Sequence, residues 1–270
     1  MKLGLYLRNM GPQSSPATLV ASARAAEAAG LDDLWLADHI AIPPDQSEGS
    51  GGRYLDPLAT LAFLAGKTER IHLGTGVLVL PYRPPLATAK WVATIQELSG
   101  ERVLFGVGVG WMEPEFRAVG VAYAERGRVT DATLAFVARC FAADDAESNG
   151  QPFLFLPRPK RPPILVGGGA QAFRRVVAHG DGWMPLLPKD ADPALLRAPI
   201  ATLRERMRAA GKPEPEIAVL TELPLDDPPA AAARLAACAE AGATRVGHAW
   251  RYPDAAAFGR AADALAKLRA

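Results

Sequence analysis

Residues 71–110, with the sequence IHLGTGVLVLPYRPPLATAKWVATIQELSGERVLFGVGVG, contain a complete strand–helix–strand unit. Ile71–Leu80 and Arg102–Gly110 are short apolar runs interrupted by glycines, and we interpret both as buried strands. Pro85–Gly100 between them is predicted to be a helix. Continuous apolar strands joined by a helix favour a parallel sheet that is covered on both faces.

The same unit recurs from one end of the chain to the other. It begins with the strand Leu3–Leu7 and the helix Pro16–Gly30, in which small and apolar side chains share one face. The remaining predicted pairs of strand and helix are Asp33–Ala37 with Tyr54–Lys67, Arg102–Gly110 with Glu125–Ala142, Pro162–Gly169 with Gln171–His179, Gly182–Leu186 with Pro193–Ala210, Glu216–Leu220 with Pro228–Ala241, and Thr244–Trp250 with Asp254–Leu268.

Eight strand–helix pairs predict a (β/α)₈ TIM barrel, and a doubly wound open sheet is the alternative. The length of 270 residues suits one barrel, for which about 250 is typical. No shift in composition marks a boundary, so we expect one domain over residues 1–270. The longest irregular stretch, Asn149–Pro163, is predicted to be a small lid or an insertion.

Composition argues against several classes of protein. The net charge is +1 and basic residues are not clustered, so we expect no nucleic-acid partner. Cys140 and Cys238 lie in separate helical patterns, which does not favour a disulfide framework or a zinc site. No targeting segment is evident, and no apolar run reaches 18 residues. We therefore expect a cytoplasmic enzyme with no membrane contact and no metal.

The active sites of such barrels lie at the C-terminal ends of the strands. Asp38 and His39 follow the second predicted strand, and glycines occur at the ends of the third, fourth and fifth. Several glycines at adjacent strand ends suggest a flat ligand lying against bare backbone, although they could instead only relieve crowding inside the barrel. The run Gly167–Ala170 precedes a predicted helix, whose free N–H groups would suit a phosphate.

His39 is the leading candidate for a proton-transfer group. A histidine beside the predicted site can hold or donate a proton near neutral pH, whereas the alternative is a structural histidine paired with Asp38 or with backbone. His248 follows the eighth strand and could also face the mouth, but His72 begins a strand and His179 ends a helix. The sequence has no nucleophile elbow, Walker loop or metal-ligand cluster.

The chain resembles the luciferase-like monooxygenase superfamily, and in particular its small members that depend on the deazaflavin coenzyme F420. The resemblance covers nearly the whole chain and depends on six motifs in order. They are Ala37–Ile40 (ADHI), Leu73–Val77 (LGTGV), Gly106–Phe116 (GVGVGWMEPEF), Glu125–Asp131 (ERGRVTD), Pro162–Gly169 (PPILVGGG) and Gly180–Trp183 (GDGW).

The resemblance implies roles for individual residues. His39 would be catalytic, contacting the cofactor ring and shuttling its proton. The other implied cofactor-binding residues are Asp38, Thr75, Gly76 and Val77, which would form a bulge behind the ring, Gly108 and Gly110, which would let the cofactor approach the fourth strand, and Gly167, Gly168, Gly169 and Ala170, which would bind its phosphate. The match also predicts a cis peptide between Gly76 and Val77.

The resemblance further implies an oxidoreductase that transfers a hydride between F420 and a small organic substrate, as a homodimer. The alternatives are an FMN-dependent monooxygenase and a flavin-binding protein without turnover. Trp111 stands where related sugar-phosphate dehydrogenases have a catalytic glutamate, which argues against glucose 6-phosphate. The oligoglutamate tail of F420 needs cations, for which the candidates are Arg174, Arg175, Arg158, Lys160 and Arg161.

Overall fold

The computed structural model describes residues 1–269, and its strands contain most of the apolar runs identified above. In chain order the strands are β1 (Lys2–Tyr6), β2 (Asp33–Leu36), β3 (His72–Thr75), β4 (Leu78–Val79), β5 (Val103–Gly108), β6 (Asp145–Ser148), β7 (Gln151–Leu154), β8 (Ile164–Gly167), β9 (Gly182–Met184), β10 (Glu216–Thr221) and β11 (Arg245–His248).

The principal sheet is a closed barrel of eight parallel strands, which confirms the predicted fold. The strands follow one another in the order β1, β2, β3, β5, β8, β9, β10 and β11, and β11 pairs with β1. The pairing of β3 with β5 completes the ring. An open doubly wound sheet is therefore wrong for this chain.

Helices surround the barrel within residues 1–269, and four of them begin at a residue whose side chain caps the first turn. The helices are α1 (Pro16–Ala28), α2 (Pro57–Ala65), α3 (Pro85–Leu98), α4 (Glu113–Ala118), α5 (Arg126–Ala142), α6 (Phe173–His179), α7 (Arg197–Ala209), α8 (Pro228–Ala241) and α9 (Ala255–Lys267). The side chains of Ser15, Asp56, Asp227 and Asp254 each accept a hydrogen bond from the first turn of the helix that follows. Gly242, in the left-handed conformation, ends α8.

The barrel interior is filled by Trp35 and a group of mostly large apolar side chains, which are Leu104, Leu165, Met184, Ala218 and Leu220. Trp35 is fully buried, and a Cβ at Gly74 would lie 2.4 Å from its indole ring. A Cβ at Gly247 would also crowd that ring, at 3.1 Å. Several strand glycines therefore relieve crowding inside the barrel, which was the second interpretation of the glycines at the strand ends.

Charged side chains close the N-terminal end of the barrel. Arg245 is 1% exposed and forms an ion pair with the buried Asp33, and its guanidinium also lies 2.8 Å from Glu216 Oε1. Two carboxylates therefore compensate a buried cation that would be costly if unpaired. The C-terminal end, by contrast, is left open.

Of the two predictions for Asn149–Pro163, a lid or an insertion, the structure supports the insertion, although part of the segment is regular and not irregular. Part of this stretch pairs with the residues before it, because β6 and β7 form an antiparallel hairpin. The hairpin lies between α5 and β8 in the chain, so it leaves and re-enters the barrel at the N-terminal ends of the strands. The segment is thus an insertion at the end of the barrel opposite the mouth.

The predicted third strand is divided in two. β3 ends at Thr75 and β4 begins at Leu78, and the peptide between Gly76 and Val77 is cis, which confirms that prediction. The short helix α4 was not predicted. Cys140 and Cys238 are buried free thiols. Within residues 1–269, no helix is both long enough and apolar enough to cross a membrane.

Candidate active site

A cavity of about 740 Å³ opens at the C-terminal ends of the barrel strands. The four residues predicted to meet at the mouth, His39, Gly76, Gly108 and Gly167, all line it, which confirms their predicted proximity. Asp38, Val77, Gly110, Gly168, Gly169 and Ala170 line it as well. Most of the remaining lining is apolar, and it includes Trp111, Trp183, Met184 and Leu186.

His39 is held by a glutamate that the sequence reasoning did not identify. Its Nδ1 lies 2.8 Å from Oε2 of Glu115, which is fully buried on α4. Oε1 of the same carboxylate accepts hydrogen bonds from the N–H groups of Ile40 and Ala41, at 2.6 and 2.9 Å. The Tyr82 hydroxyl donates to Oε2 at 2.9 Å. Glu115 therefore fixes both the imidazole and the loop that follows it.

These contacts determine the charge of Glu115 and the orientation of the imidazole. Burial alone would raise the pKa of Glu115, but the hydrogen bonds from His39, Ala41 and Ile40 lower it to about 2. An ionised carboxylate at Nδ1 requires a proton on that nitrogen, so Nε2 is the free nitrogen of a neutral ring. Within residues 1–269 no protein group is hydrogen-bonded to Nε2.

Two aromatic rings enclose the imidazole of His39. The Tyr54 ring lies edge-on at 4.9 Å between centroids, and the Trp111 ring lies edge-on at 6.1 Å. The side chain of His39 is 18% exposed. The imidazole is thus restrained on the loop side and accessible from the cavity.

The carboxylate of Asp38 is bonded to groups in the cavity wall and is not free to bind a ligand. It accepts a hydrogen bond from the N–H of Val79 at 2.8 Å and forms a bidentate pair with Arg83. Burial opposes the charge of Arg83, but the carboxylates of Asp38 and Asp56 raise its pKa. The hydrogen bond from Val79 ties the end of β2 to β4, the ion pair ties it to the turn that follows β4, and both support the bulge between β3 and β4.

The predicted bulge forms one wall of the cavity. Thr75 is buried behind it and donates its hydroxyl proton to the Gly106 carbonyl at 2.6 Å. The Tyr6 hydroxyl donates to the Gly76 carbonyl at 2.9 Å. Gly76 and Val77 face the cavity, and Thr75 lies behind them in the bulge.

The missing side chains of two glycines make room for Val77. A Cβ at Gly108 would lie 2.5 Å from Val77 Cγ2, and one at Gly167 would lie 2.7 Å from Val77 Cγ1. The space left by both missing side chains is therefore taken by valine, although the backbone of both glycines still borders the cavity. Gly110 has a φ of +79°, a conformation that glycine favours.

Gly167–Ala170 forms the end of β8 and the turn after it. Gly168 has a φ of +120°, and its carbonyl accepts a hydrogen bond from Trp183 Nε1 at 2.6 Å. A 3₁₀ turn begins at Ala170 and leads into α6. The first N–H groups of such a turn have no acceptor inside it, so they are available to an anionic group at the cavity edge.

The basic residues suggested for the cofactor tail are mostly engaged elsewhere. Arg174 and Arg175 both bind Asp131, at 2.7 and 2.6 Å. Arg158 pairs with Asp144, and Arg161 forms a bidentate pair with Asp181.

The segment Arg158–Arg161 also lies at the wrong end of the barrel. Arg161 and Asp181 immediately precede the starts of β8 and β9, which are at the N-terminal end. Lys160, in the same segment, donates its backbone N–H to Glu101, just before β5. This segment is therefore remote from Gly167–Ala170, and its suggested role in binding the cofactor tail was wrong.

His248 does not face the cavity. It is 2% exposed, its Nδ1 accepts a hydrogen bond from the N–H of Leu223 at 2.9 Å, and its ring stacks on Trp250. Burial lowers its pKa to about 3, so the ring is neutral. His248 is a structural residue between the barrel and its outer layer.

Glu115 had one signal in the sequence. It lies in the motif GVGVGWMEPEF, four residues beyond Trp111, and a carboxylate there can return to the mouth if a short helix follows the strand. Nothing local indicates that it reaches His39, 76 positions earlier in the chain. Tyr54 and Trp183 are likewise brought to the site only by the closure of the barrel.

Comparison with known proteins identifies the family to which this chain belongs. The model of the luciferase-like monooxygenase family matches residues 1–270. An uncharacterised protein of Mycobacterium tuberculosis, Rv0940c, is 34% identical over 218 residues, which cover 74% of this chain and 75% of that protein. The F420-dependent glucose-6-phosphate dehydrogenase of Kineococcus radiotolerans is 29% identical over 246 residues, covering 86% of this chain and 70% of the enzyme.

A solved structure shows the same fold at lower sequence similarity. The crystal structure of the monooxygenase RslO1 from Streptomyces bottropensis superposes with a TM-score of 0.82. It covers 99% of this chain and 98% of that chain, at 19% identity.

Proposed function

Because the chain belongs to the luciferase-like monooxygenase family, we propose that it is an oxidoreductase that transfers a hydride between coenzyme F420 and a small organic substrate. The observation that carries the proposal is the contact of His39 with Glu115 at the wall of a large, mostly apolar cavity. An oriented imidazole there can exchange a proton with a bound molecule.

The residues around the cavity fit a flat cofactor with a phosphate. The bulge at Gly76 and Val77 presents backbone and one branched side chain on one side, and Gly167–Ala170 presents free N–H groups at the edge. The chain would thus hold the ring against the bulge and the phosphate at the turn after β8. F420, when bound, supplies the carbon that accepts or donates the hydride.

The proposed task of His39 is to move a proton at Nε2. The ionised Glu115 carboxylate holds the proton on Nδ1 and stabilises positive charge on the ring when Nε2 gains a second one. Tyr54 and Trp111 restrict the orientation of the ring, so little reorganisation is needed. Glu115 would act through His39 as a positioning residue.

One observation favours FMN, the cofactor of the alternative function. F420 carries carboxylates beyond its phosphate, yet Arg174 and Arg175 are already bound by Asp131. FMN ends at its phosphate and needs no such cations. An FMN-dependent monooxygenase would use the same bulge and the same turn, and a non-catalytic flavin-binding protein would bind without turnover.

Titration of the purified apoprotein with F420 and with FMN under identical conditions tests the proposal. We expect F420 to bind with a Kd in the micromolar range or below and FMN to bind more weakly. Micromolar or tighter FMN binding with no measurable F420 binding would overturn the assignment in favour of the monooxygenase. The His39→Ala variant is the control. It should bind the cofactor nearly as well as the wild type, because removing the imidazole leaves the cofactor contacts of the bulge and the turn intact.

A further inference from the structure

Apart from His39 and the N–H groups assigned to the cofactor phosphate, the described residues that line the cavity include no free group that could neutralise a charged substrate. Its ionisable lining residues are Tyr6, Asp38 and His39. The Tyr6 hydroxyl is bound to the Gly76 carbonyl, and the Asp38 carboxylate is held by Arg83 and Val79. Among residues 1–269, no lysine or arginine side chain lines the cavity, so His39 is the one ionisable group left to meet a ligand.

Large apolar side chains stand at the rim of the same cavity. Trp111 is 66% exposed and Leu186 is 74% exposed. Leu186 follows β9, which is diametrically opposite β2, the strand that precedes His39. Trp111 lies edge-on against His39 itself. Exposed large apolar side chains at a cavity mouth are typical of a binding site for an apolar ligand.

We infer that the substrate that binds in this cavity is an uncharged, largely apolar molecule, and that Trp111 and Leu186 determine this preference. The inference rests on the proposed function, because it concerns the second ligand of the same site. The substrate would present a hydroxyl or carbonyl group to His39 Nε2 and its apolar body to the rim. A phosphate or carboxylate on that body would enter the cavity unpaired, which is strongly unfavourable.

Two guanidinium groups near the mouth do not add a positive charge to the lining of the cavity. Arg8 is 9% exposed and donates to the Gly49 carbonyl at 2.9 Å, and Arg251 would lie 3.2 Å from a Cβ at Gly49. Neither side chain lines the cavity. They would matter only for a ligand that extends beyond it.

The test uses methyl ketones as probes and isothermal titration calorimetry, on the protein with and without its bound cofactor. We expect affinity to rise from 2-hexanone to 2-octanone to 2-decanone by about fourfold for each methylene group. The matched anion 7-oxooctanoate replaces the terminal methyl of 2-octanone by a carboxylate. It should bind at least about tenfold more weakly than 2-octanone.

Variants of the rim show whether Leu186 is responsible. Leu186→Glu should weaken 2-octanone binding about tenfold, and Leu186→Met should leave it nearly unchanged. Leu98→Glu is the control, since Leu98 is 68% exposed at the end of α3 and does not line the cavity. Equal effects of Leu186→Glu and Leu98→Glu on 2-octanone binding would show that Leu186 does not contact the ketone.

The possible results separate the two proposals. Failure of both cofactors to bind, with the ketone series as expected, refutes the proposed function alone. Cofactor binding together with a flat ketone series, or with no ketone binding up to the solubility limit, refutes the apolar substrate class. Tighter binding of 7-oxooctanoate than of 2-octanone also refutes it and would point to Arg8 and Arg251.

Discussion

Replacement of Glu115 by glutamine removes one buried charge and changes little else in shape. The carboxylate accepts hydrogen bonds from His39, Ile40, Ala41 and Tyr82. Glutamine keeps one acceptor oxygen but brings an N–H₂ group to the other position, where the neighbouring groups are donors. The variant therefore loses the charge and leaves at least one donor without a partner.

The expected loss of stability follows from the pKa of Glu115. The pKa falls from the ordinary 4.5 to about 2 on folding. A difference of about 2.5 pKa units corresponds to about 3 kcal/mol of the free energy of unfolding. Since the folded-state pKa is the lower one, this contribution is complete well above pH 4.5 and is lost as the pH falls from 4.5 towards 2. At about pH 3.5, a little under half of it has gone.

Urea unfolding of the wild type and Glu115→Gln, followed by circular dichroism at neutral pH and near pH 3.5, measures this loss. We expect the variant to be less stable by about 3 kcal/mol at neutral pH and by about half as much near pH 3.5. Glu113→Gln is the matched control, because Glu113 is 57% exposed on the same helix, and it should shift stability by about 0.5 kcal/mol or less. The same deficit at both pH values would show that the charge of Glu115 does not stabilise the fold.

Three further results are expected. His39→Ala should lower kcat about a hundredfold or more while changing the cofactor Kd less than about threefold, and equal losses in kinetics and titration would make His39 a structural contact. Gly108→Ala should destabilise the protein by about 1–3 kcal/mol, because its Cβ would lie 2.5 Å from Val77 Cγ2. Adding Val77→Ala should recover part of that loss in a double-mutant cycle, with Gly66→Ala, whose Cβ meets nothing closer than 3.8 Å, as the control. Arg161→Ala should leave cofactor binding unchanged, since Arg161 lies at the opposite end of the barrel, and a weaker Kd would contradict that placement.

The barrel was predictable because each of its units carries its own local signals. Apolar runs, prolines at helix starts and glycines at helix ends are readable within a few residues of each element. The hairpin β6–β7 was not predicted, because its strands are only four residues each and largely exposed, so they show no apolar pattern. The short helix α4 escaped because two acidic residues and a proline resemble a loop.

The site was predictable in part, and the limit has a physical reason. A residue at the end of a predicted barrel strand must lie near the mouth, and this is how His39, Gly76, Gly108 and Gly167 were placed. The direction of a missing Cβ is not readable in the same way. Gly108 was interpreted as room for the cofactor, whereas a Cβ there would lie 2.5 Å from Val77 Cγ2.

Several charges around the cavity are paired with a fixed partner. Asp38 is compensated by Arg83, the guanidinium groups of Arg174 and Arg175 are compensated by Asp131, and Glu115 stays ionised over the whole neutral range. His39 is left as the group that can gain or lose a proton beside a bound ring. Hydride transfer moves one unit of negative charge from one member of the reacting pair to the other, and an apolar cavity solvates the resulting charge poorly. His39 Nε2, with the Glu115 carboxylate bound to Nδ1, would therefore take up or give up the balancing proton. Glu115→Gln should then shift the pH profile of kcat for the proton-transfer step as well as lowering stability, whereas a purely structural glutamate would change stability alone.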